Sequence, residues 1–165
     1  MSAQFAATFA AGAAESLAAQ CTAGLPALSG ATLGILYATE PAAAVLPELT
    51  RSLAEHTGIG SWVGGIGLGV CSASTEVFDE PAAVVMTAAL SSDDFRVFEV
   101  TADPGSDLPR RHAPWIEGTQ PVLALVHADP RCPDQVLPMV GQRRTARDDR
   151  KRDRLARDDG PVNWL

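Results

Sequence analysis

The segment 31–66, ATLGILYATEPAAAVLPELTRSLAEHTGIGSWVGGI, decides the predicted fold. It opens with a continuous apolar run, 31–38, bounded by turn-forming residues, which is typical of a strand buried on both faces of a sheet. A helical pattern follows, and a second short apolar segment, 61–66, closes the unit. Since strand, helix and strand follow one another at short spacing, the segment predicts a βαβ unit whose two strands are parallel.

Proline and glycine mark the limits of the predicted helix. Pro41 favours a helix start, but Pro47 interrupts the pattern, so we expect the regular helix to begin at Pro47. Arg51 and Glu55 are spaced as an ion pair on the solvent side. Gly58 is expected to end the helix.

The remaining elements are predicted by working outward from this unit. The alanine-rich segment 5–20 is predicted to be a helix because alanine has the highest helix propensity. Further elements are predicted from apolar runs and turn residues: strands at 82–90, 95–100 and 121–128, a turn at 91–94, a long loop at 101–120 and a helix at 133–140. The expected fold class is therefore α/β, with a central mixed sheet and flanking helices.

Charge divides the chain into two parts. Residues 1–141 hold 15 acidic and 5 basic residues, a net charge of −10, whereas residues 142–165 hold 8 basic and 5 acidic residues. The acidic part argues against a nucleic-acid-binding surface, because phosphate contacts need clustered lysine and arginine. We expect residues 1–141 to form the ligand-sensing domain and residues 142–165 to form a disordered charged tail.

The chain carries no signal for a membrane or a metal. No window of about 18 strongly apolar residues is present, and the apolar start lacks a basic region, so a cytoplasmic protein without membrane insertion is expected. Cys21, Cys71 and Cys132 are too widely spaced for a metal or redox motif. Three scattered histidines add no metal signature, and we expect neither metal nor cofactor.

A glycine-rich segment, GGIGLG at 64–69, is the first candidate site. It fails the dinucleotide pattern because the third glycine would fall at Val70, and it lacks the lysine of a phosphate-binding loop. A structural turn is the favoured interpretation. A loop whose backbone N–H groups line a ligand pocket is the alternative.

A second candidate is the segment GVCSA at 69–73, which is similar to a nucleophile elbow with cysteine at its centre. A cysteine-dependent hydrolase would use Cys71, with His56 or His127 as base and Asp129 as the orienting acid. The residues that follow, 75–81, do not have a helical pattern. We therefore favour a small buried thiol at Cys71 and keep the hydrolase as the alternative function.

The end of the predicted strand 121–128 is the third candidate. His127 and Asp129 lie there, and ligands of α/β proteins bind at the carboxyl ends of strands. A solvated strand end explains the two residues equally well. Arginines that could pair a ligand carboxylate in the acidic part are Arg51, Arg96, Arg110, Arg111 and Arg131, of which Arg131 is the nearest to this strand end.

The order of these motifs resembles the N-terminal domain of the FIST family. The residues that carry the resemblance are LGILY at 33–37, WVGGIGLGV at 62–70, PAAVV at 81–85, LALVHADP at 123–130 and PMVG at 138–141. The resemblance implies a bacterial sensory domain of signal transduction, non-catalytic, that binds a small polar ligand such as an amino acid. It also implies a signalling protein as partner.

The predicted ligand-binding residues combine the resemblance with the strand-end argument. Gly64, Gly69 and Glu76 follow from the resemblance as turn and pocket residues, and so does Asp129 at the strand end. The complete candidate set is Gly64, Gly65, Gly69, Glu76, Asp129 and Arg131.

The composition changes abruptly after Gly141, where the family would continue into further strands and a C-terminal domain. We therefore expect the domain to be incomplete, with a truncation or frameshift after Gly141. The other two reading frames of the gene test this: strand-like sequence in one of them is expected, and its absence from both contradicts the hypothesis. An incomplete domain would also need a partner to cover an exposed sheet edge.

Overall fold

The computed structural model describes residues 4–98, 108–123, 125 and 127. Its strands and helices are, in chain order, β1 (Gln4–Ala11), α1 (Leu17–Gly24), β2 (Leu33–Thr39), α2 (Leu46–Thr57), β3 (Ser61–Gly67), β4 (Gly69–Cys71), β5 (Glu76–Phe78), β6 (Ala82–Ala89) and α3 (Leu108–Thr119). Four strands form a mixed sheet in the order β1-β6-β2-β3, and β4 and β5 form a separate hairpin. The predicted α/β class and mixed sheet are confirmed.

The predicted βαβ unit lies at one end of the sheet, where β3 is the edge strand. Strands β2 and β3 pair in parallel, and α2 connects them. Helix α2 begins at Leu46 with Pro47 in its first turn, one residue earlier than expected, and a 3₁₀ turn containing Pro41 precedes it. Gly58 ends α2 in the left-handed conformation, with φ of 72°, which glycine adopts without a steric cost. The limits of α2 thus agree with the positions of Pro47 and Gly58 in the sequence.

One face of the sheet packs against α1 and α2. The buried cluster takes side chains from both helices and from alternate positions of the strands: Ala10, Leu17, Cys21, Leu25, Leu36, Ala38, Ala42, Leu49, Leu53, Ala83 and Val85. Leu49 and Leu53 of α2 are fully buried, four residues apart and hence on one side of the helix. Trp62 packs against the same cluster. We call this side of the sheet the helix face and the other side the open face.

The predicted helix at 5–20 is wrong in its first half. Residues 4–11 form β1, which pairs antiparallel with β6 along its whole length, and α1 begins only at Leu17. Alanine favours a helix, but pairing with β6 decides the structure of these residues. Phe5, Ala7 and Phe9 lie on one side of the strand and alternate with the residues that line the helix face. Gly12, with φ of 123°, separates the strand from the helical part.

Three predictions after β6 are also wrong. Residues 95–98 form no strand, and α3 occupies 108–119 of the predicted loop. Phe98 stacks on His112 of α3, with ring centroids 4.6 Å apart, so this apolar side chain contacts a helix instead of a neighbouring strand. The described residues of 121–128 form no strand either, and Leu123 and Leu125 are exposed.

The same substitution at two buried threonines is expected to have opposite effects. Thr87 lies in the core with a hydroxyl that has no hydrogen-bond partner among the described residues. The Thr39 hydroxyl donates to the Glu80 carbonyl oxygen at 2.6 Å and accepts from the Ala82 N–H at 3.0 Å. Because an unpaired buried hydroxyl is destabilising, Thr87→Val is expected to raise the free energy of unfolding by about 1 kcal/mol. Thr39→Val is expected to lower it by about 1–3 kcal/mol.

Urea denaturation of the two variants measures both changes. A Thr87→Val protein that loses as much stability as Thr39→Val would show that the Thr87 hydroxyl is satisfied in solution.

Candidate functional site

The glycine-rich segment does not form the expected turn at Gly64 and Gly65. Both residues lie inside β3, opposite Leu36 and Tyr37 of β2, and the chain bends only at Leu68. Gly64 has φ of 150°, and a Cβ atom on it would overlap the Leu36 backbone. Gly64 is therefore required for the close approach of β3 to β2, which accounts for it without a ligand.

Gly65 is different, because it lies next to two polar side chains. Tyr37, its partner in the register of β2 and β3, places its hydroxyl oxygen 2.8 Å from His127 Nε2. The two rings are tilted by 49°, with centroids 5.4 Å apart. Among the described residues, a Cβ atom on Gly65 would meet only His127 Cδ2, at an ordinary contact distance of 3.9 Å. Gly65 thus lies beside the Tyr37–His127 pair and places no side chain against it.

This trio lies on the open face of the sheet. Leu36 and Ala38 belong to the buried cluster on the helix face, and since successive residues of a strand alternate, Tyr37 and its register partner Gly65 face the other way. His127 is exposed. A hydroxyl and an imidazole can both donate and accept hydrogen bonds, and the His127 tautomer decides which of the two donates in this pair.

Tyr37 was missed by sequence reasoning. It stands in an apolar strand, where a tyrosine is normally explained by packing of its ring. A buried or half-buried tyrosine hydroxyl usually has a polar partner, which is the signal that could have marked it. The partner lies 90 residues away in the sequence, so no local pattern connects the two.

Gly69 and Glu76 lie on the β4–β5 hairpin. A Cβ atom on Gly69 would overlap the ring of Phe78, so Gly69 lets the two strands of the hairpin approach each other. Glu76 is exposed and stands opposite Cys71. The candidate residues Asp129 and Arg131, the predicted helix at 133–140 and the predicted boundary at 141 lie outside the described residues.

Cys71 is exposed, so the favoured buried thiol is wrong. Strand β4 continues through a turn closed by the Ser72 N–H and the Thr75 carbonyl oxygen, 2.8 Å apart, into β5. As expected, no helix follows, and an elbow that aims a nucleophile at the start of a helix is not formed. Within residues 4–98 and 108–127, so far as these are described, no hydrogen bond joins Cys71 to a histidine. The hydrolase stays a hypothesis without a supporting contact.

Cys21 gives the fold a specific alkaline sensitivity. Its side chain is fully buried, and desolvation raises the pKa of the thiol from 9.0 to about 11. The unfolded chain releases this proton near pH 9, whereas the folded chain keeps it to about pH 11. Between these values the unfolded state binds fewer protons, so the free energy of unfolding is expected to fall as the pH rises, by about 3 kcal/mol in total.

Denaturation at a series of pH values, with Cys21→Ala and Cys71→Ala as matched variants, measures this effect. The alkaline loss is expected to shrink in Cys21→Ala and to persist in Cys71→Ala, whose thiol is exposed in the parent protein. An unchanged pH profile in Cys21→Ala would contradict the assignment.

Two arginines of the described chain have contacts away from the trio. Arg51 bonds Glu55 at 3.1 Å, as predicted from their spacing, and this pair is exposed on α2. The Arg96 guanidinium lies 5.2 Å from the ring centroid of Trp115 in α3. These two arginines therefore stabilise local structure.

Among the described residues, neither a metal-binding cluster nor a match to a known protein marks the site. Within the described part of the chain, no group of three or more histidine, cysteine, aspartate or glutamate side chains is placed to hold a metal ion. None of the helices there is long and apolar enough to cross a membrane. No family model, no curated protein and no solved structure matches the chain.

Proposed function

We propose that the chain is a non-catalytic sensory module that binds a small polar ligand, such as an amino acid, beside Tyr37, Gly65 and His127. The observation that carries the proposal is the 2.8 Å hydrogen bond between the Tyr37 hydroxyl and His127 Nε2, next to Gly65. It brings together two segments, the glycine-rich strand and the region of residue 127, that the sequence had marked independently as ligand-binding. His127 is exposed, Tyr37 is half-buried and Gly65 places no side chain against them, which supports access of a small molecule to both polar groups.

The chemistry of the surroundings favours a ligand with a polar head and a compact body. Tyr37 and His127 each offer a group that donates or accepts a hydrogen bond, so both the amino and the carboxylate group of an amino acid can be bound. Ile35 and Val63, on the same face of the sheet, are half-buried apolar neighbours in the register. The net charge of −10 over residues 1–141 favours a ligand that carries an amino group over a simple anion.

The wider role proposed for the chain follows from its resemblance to the FIST family. In that role a cytoplasmic signalling protein, such as a kinase, a cyclase or a receptor, reads the ligand-bound state. Family membership, location and partner are all part of the proposal, and the ligand-binding step is the part that the trio supports.

Thermal unfolding with individual L-amino acids tests the binding step. A ligand that binds only the folded state raises its stability by about 2.7 kcal/mol at 100 times its dissociation constant, which for a chain of this size raises Tm by about 5–10 °C. Tyr37→Phe removes the hydroxyl, and His127→Gln replaces the imidazole by an amide that presents its donor and acceptor in a different geometry. Each is expected to weaken binding by about tenfold.

His56→Gln is the matched control, because His56 is an exposed histidine on α2, which packs on the helix face of the sheet. It is expected to bind as the parent protein does. Equal binding by His127→Gln and His56→Gln would remove the trio from the site, and no stabilisation by any amino acid would contradict the proposed ligand class.

A further inference from the structure

The outer edge of β1 is open among the described residues. Strand β1 lies at one end of the sheet order, and its only strand partner there is β6. Open edges are normally protected by charged residues, proline or a bulge. The β1 sequence, QFAATFAA, contains no charged residue and no proline, and residues 4–11 pair with β6 one to one without a bulge. The usual protection against pairing with another strand is therefore missing.

The direction of the β1 backbone groups follows from the bond that ends the strand. The Gly12 N–H donates to the Pro81 carbonyl oxygen at 3.0 Å, and these residues continue the register of β1 with β6. In an antiparallel pair, bonded residues alternate with unbonded ones, so the even residues of β1 bond β6. The N–H and C=O groups of Phe5, Ala7 and Phe9 consequently point to the open edge.

The same residues carry their side chains on the open face of the sheet. Ala10 belongs to the buried cluster on the helix face, and the odd positions of β1 alternate with it. Phe5 is 57% exposed, Ala7 is exposed and Phe9 is half-buried. The edge thus combines free backbone groups with two large apolar rings that are symmetric about Ala7.

We propose that two copies of this chain associate through β1, antiparallel, with Ala7 opposite Ala7 of the partner subunit. In this register Phe5 lies opposite Phe9 of the partner subunit, and Phe9 opposite Phe5. The odd residues then form bonded pairs across the twofold axis, which satisfies the outward N–H and C=O groups. A shift by one residue would place side chains of opposite faces against each other, and a shift by two would lose both Phe–Phe pairs.

A second copy of this chain fits the uncharged edge of β1 better than a charged partner does. The interface is self-complementary, as a twofold contact requires, and it contains no charge. The rest of each copy is acidic, with a net charge of −7 for the chain, so the two copies repel each other at long range. Salt screens this repulsion, and association is therefore expected to strengthen as the ionic strength rises.

Sedimentation equilibrium of the full chain and hydrogen exchange of its amides test the dimer together. The parent protein is expected to dimerise, with slow exchange at Phe5, Ala7 and Phe9. Ala7→Lys places two like charges opposite each other on an exposed position and is expected to weaken the dimer by about tenfold or more. In this variant the amides of residues 5, 7 and 9 are expected to exchange fast. The amides of Ala6 and Thr8, which are bonded to β6, are expected to stay protected.

Ala19→Lys is the matched control, since Ala19 is an exposed alanine on α1 and the charge change is the same. It is expected to dimerise as the parent does. The proposal is overturned by a parent protein that stays monomeric throughout a dilution series. This holds whether the amides of Phe5, Ala7 and Phe9 exchange fast or are protected by another segment of the chain. It is also overturned by equal dimerisation of Ala7→Lys and Ala19→Lys. The protection of Ala6 and Thr8 shows that the variant is folded.

Discussion

Gly64→Ala is expected to destabilise the protein by about 3–5 kcal/mol, the largest effect of any single methyl group that we can place in this fold. Gly64 sits in the middle of β3 with φ of 150°, a conformation that alanine rarely adopts. Its added Cβ would also overlap the carbonyl oxygen of Leu36, which is backbone and has no alternative rotamer. Relief requires β3 to move away from β2, which breaks the parallel pairing of these two strands.

Gly65→Ala is the matched control for this prediction. It changes the neighbouring residue of the same strand in the same way, but among the described residues its Cβ would meet only the His127 ring, at an ordinary contact distance of 3.9 Å. Its free energy of unfolding is expected to change by less than about 1 kcal/mol. Urea denaturation followed by circular dichroism compares the two variants, and equal stability of both would show that β3 does not approach β2 as closely as described.

Leu53→Ala is expected to lower the free energy of unfolding by about 2–5 kcal/mol. Leu53 is fully buried where α2 packs on the helix face, and truncation removes apolar contacts and leaves a cavity among side chains that cannot all move into it. Since folded domains are stable by only about 5–15 kcal/mol, this single change takes away a large part of the total.

Leu68→Ala is the control for the core, because Leu68 is 82% exposed at the bend between β3 and β4. Its stability is expected to stay within about 0.5 kcal/mol of the parent protein. If Leu53→Ala lost no more than Leu68→Ala, α2 would not cover the sheet in solution.

The βαβ unit could be predicted because the sequence signals that mark its strands and helix are local. An apolar run marks β2, prolines mark the start of the helical region, and Gly58 marks the end of α2. Each of these signals reflects a backbone restriction that the rest of the chain does not alter. Element limits were therefore right to within one or two residues.

The errors occurred where partners distant in the sequence decide the structure. Strand β1 is rich in alanine, and only its pairing with β6, almost 80 residues later, makes it a strand. Helix α3 contains Pro114 and several charges, which favoured a loop. Its half-buried residues His112, Trp115 and Ile116 have helical spacing, a signal that would have identified it.

The candidate site was predicted in part for the same reason. The sequence marked Gly64 and Gly65 together, but only the register with β2 shows that Gly64 is needed for strand approach and that Gly65 lies beside the Tyr37–His127 pair. It marked His127 by its place near a predicted strand end, although the described residues there form no strand. It could not mark Tyr37, whose role depends on a hydrogen bond to His127.

Chemical-shift mapping by NMR during titration with L-amino acids tests the central claim most directly. The claim is that Tyr37, Gly65 and His127 form one ligand-binding site on the open face of the sheet. At least one amino acid is expected to shift the resonances of all three residues together, with His56 on α2 unchanged. Shifts confined to other parts of the chain, or no shift with any amino acid, would contradict the account.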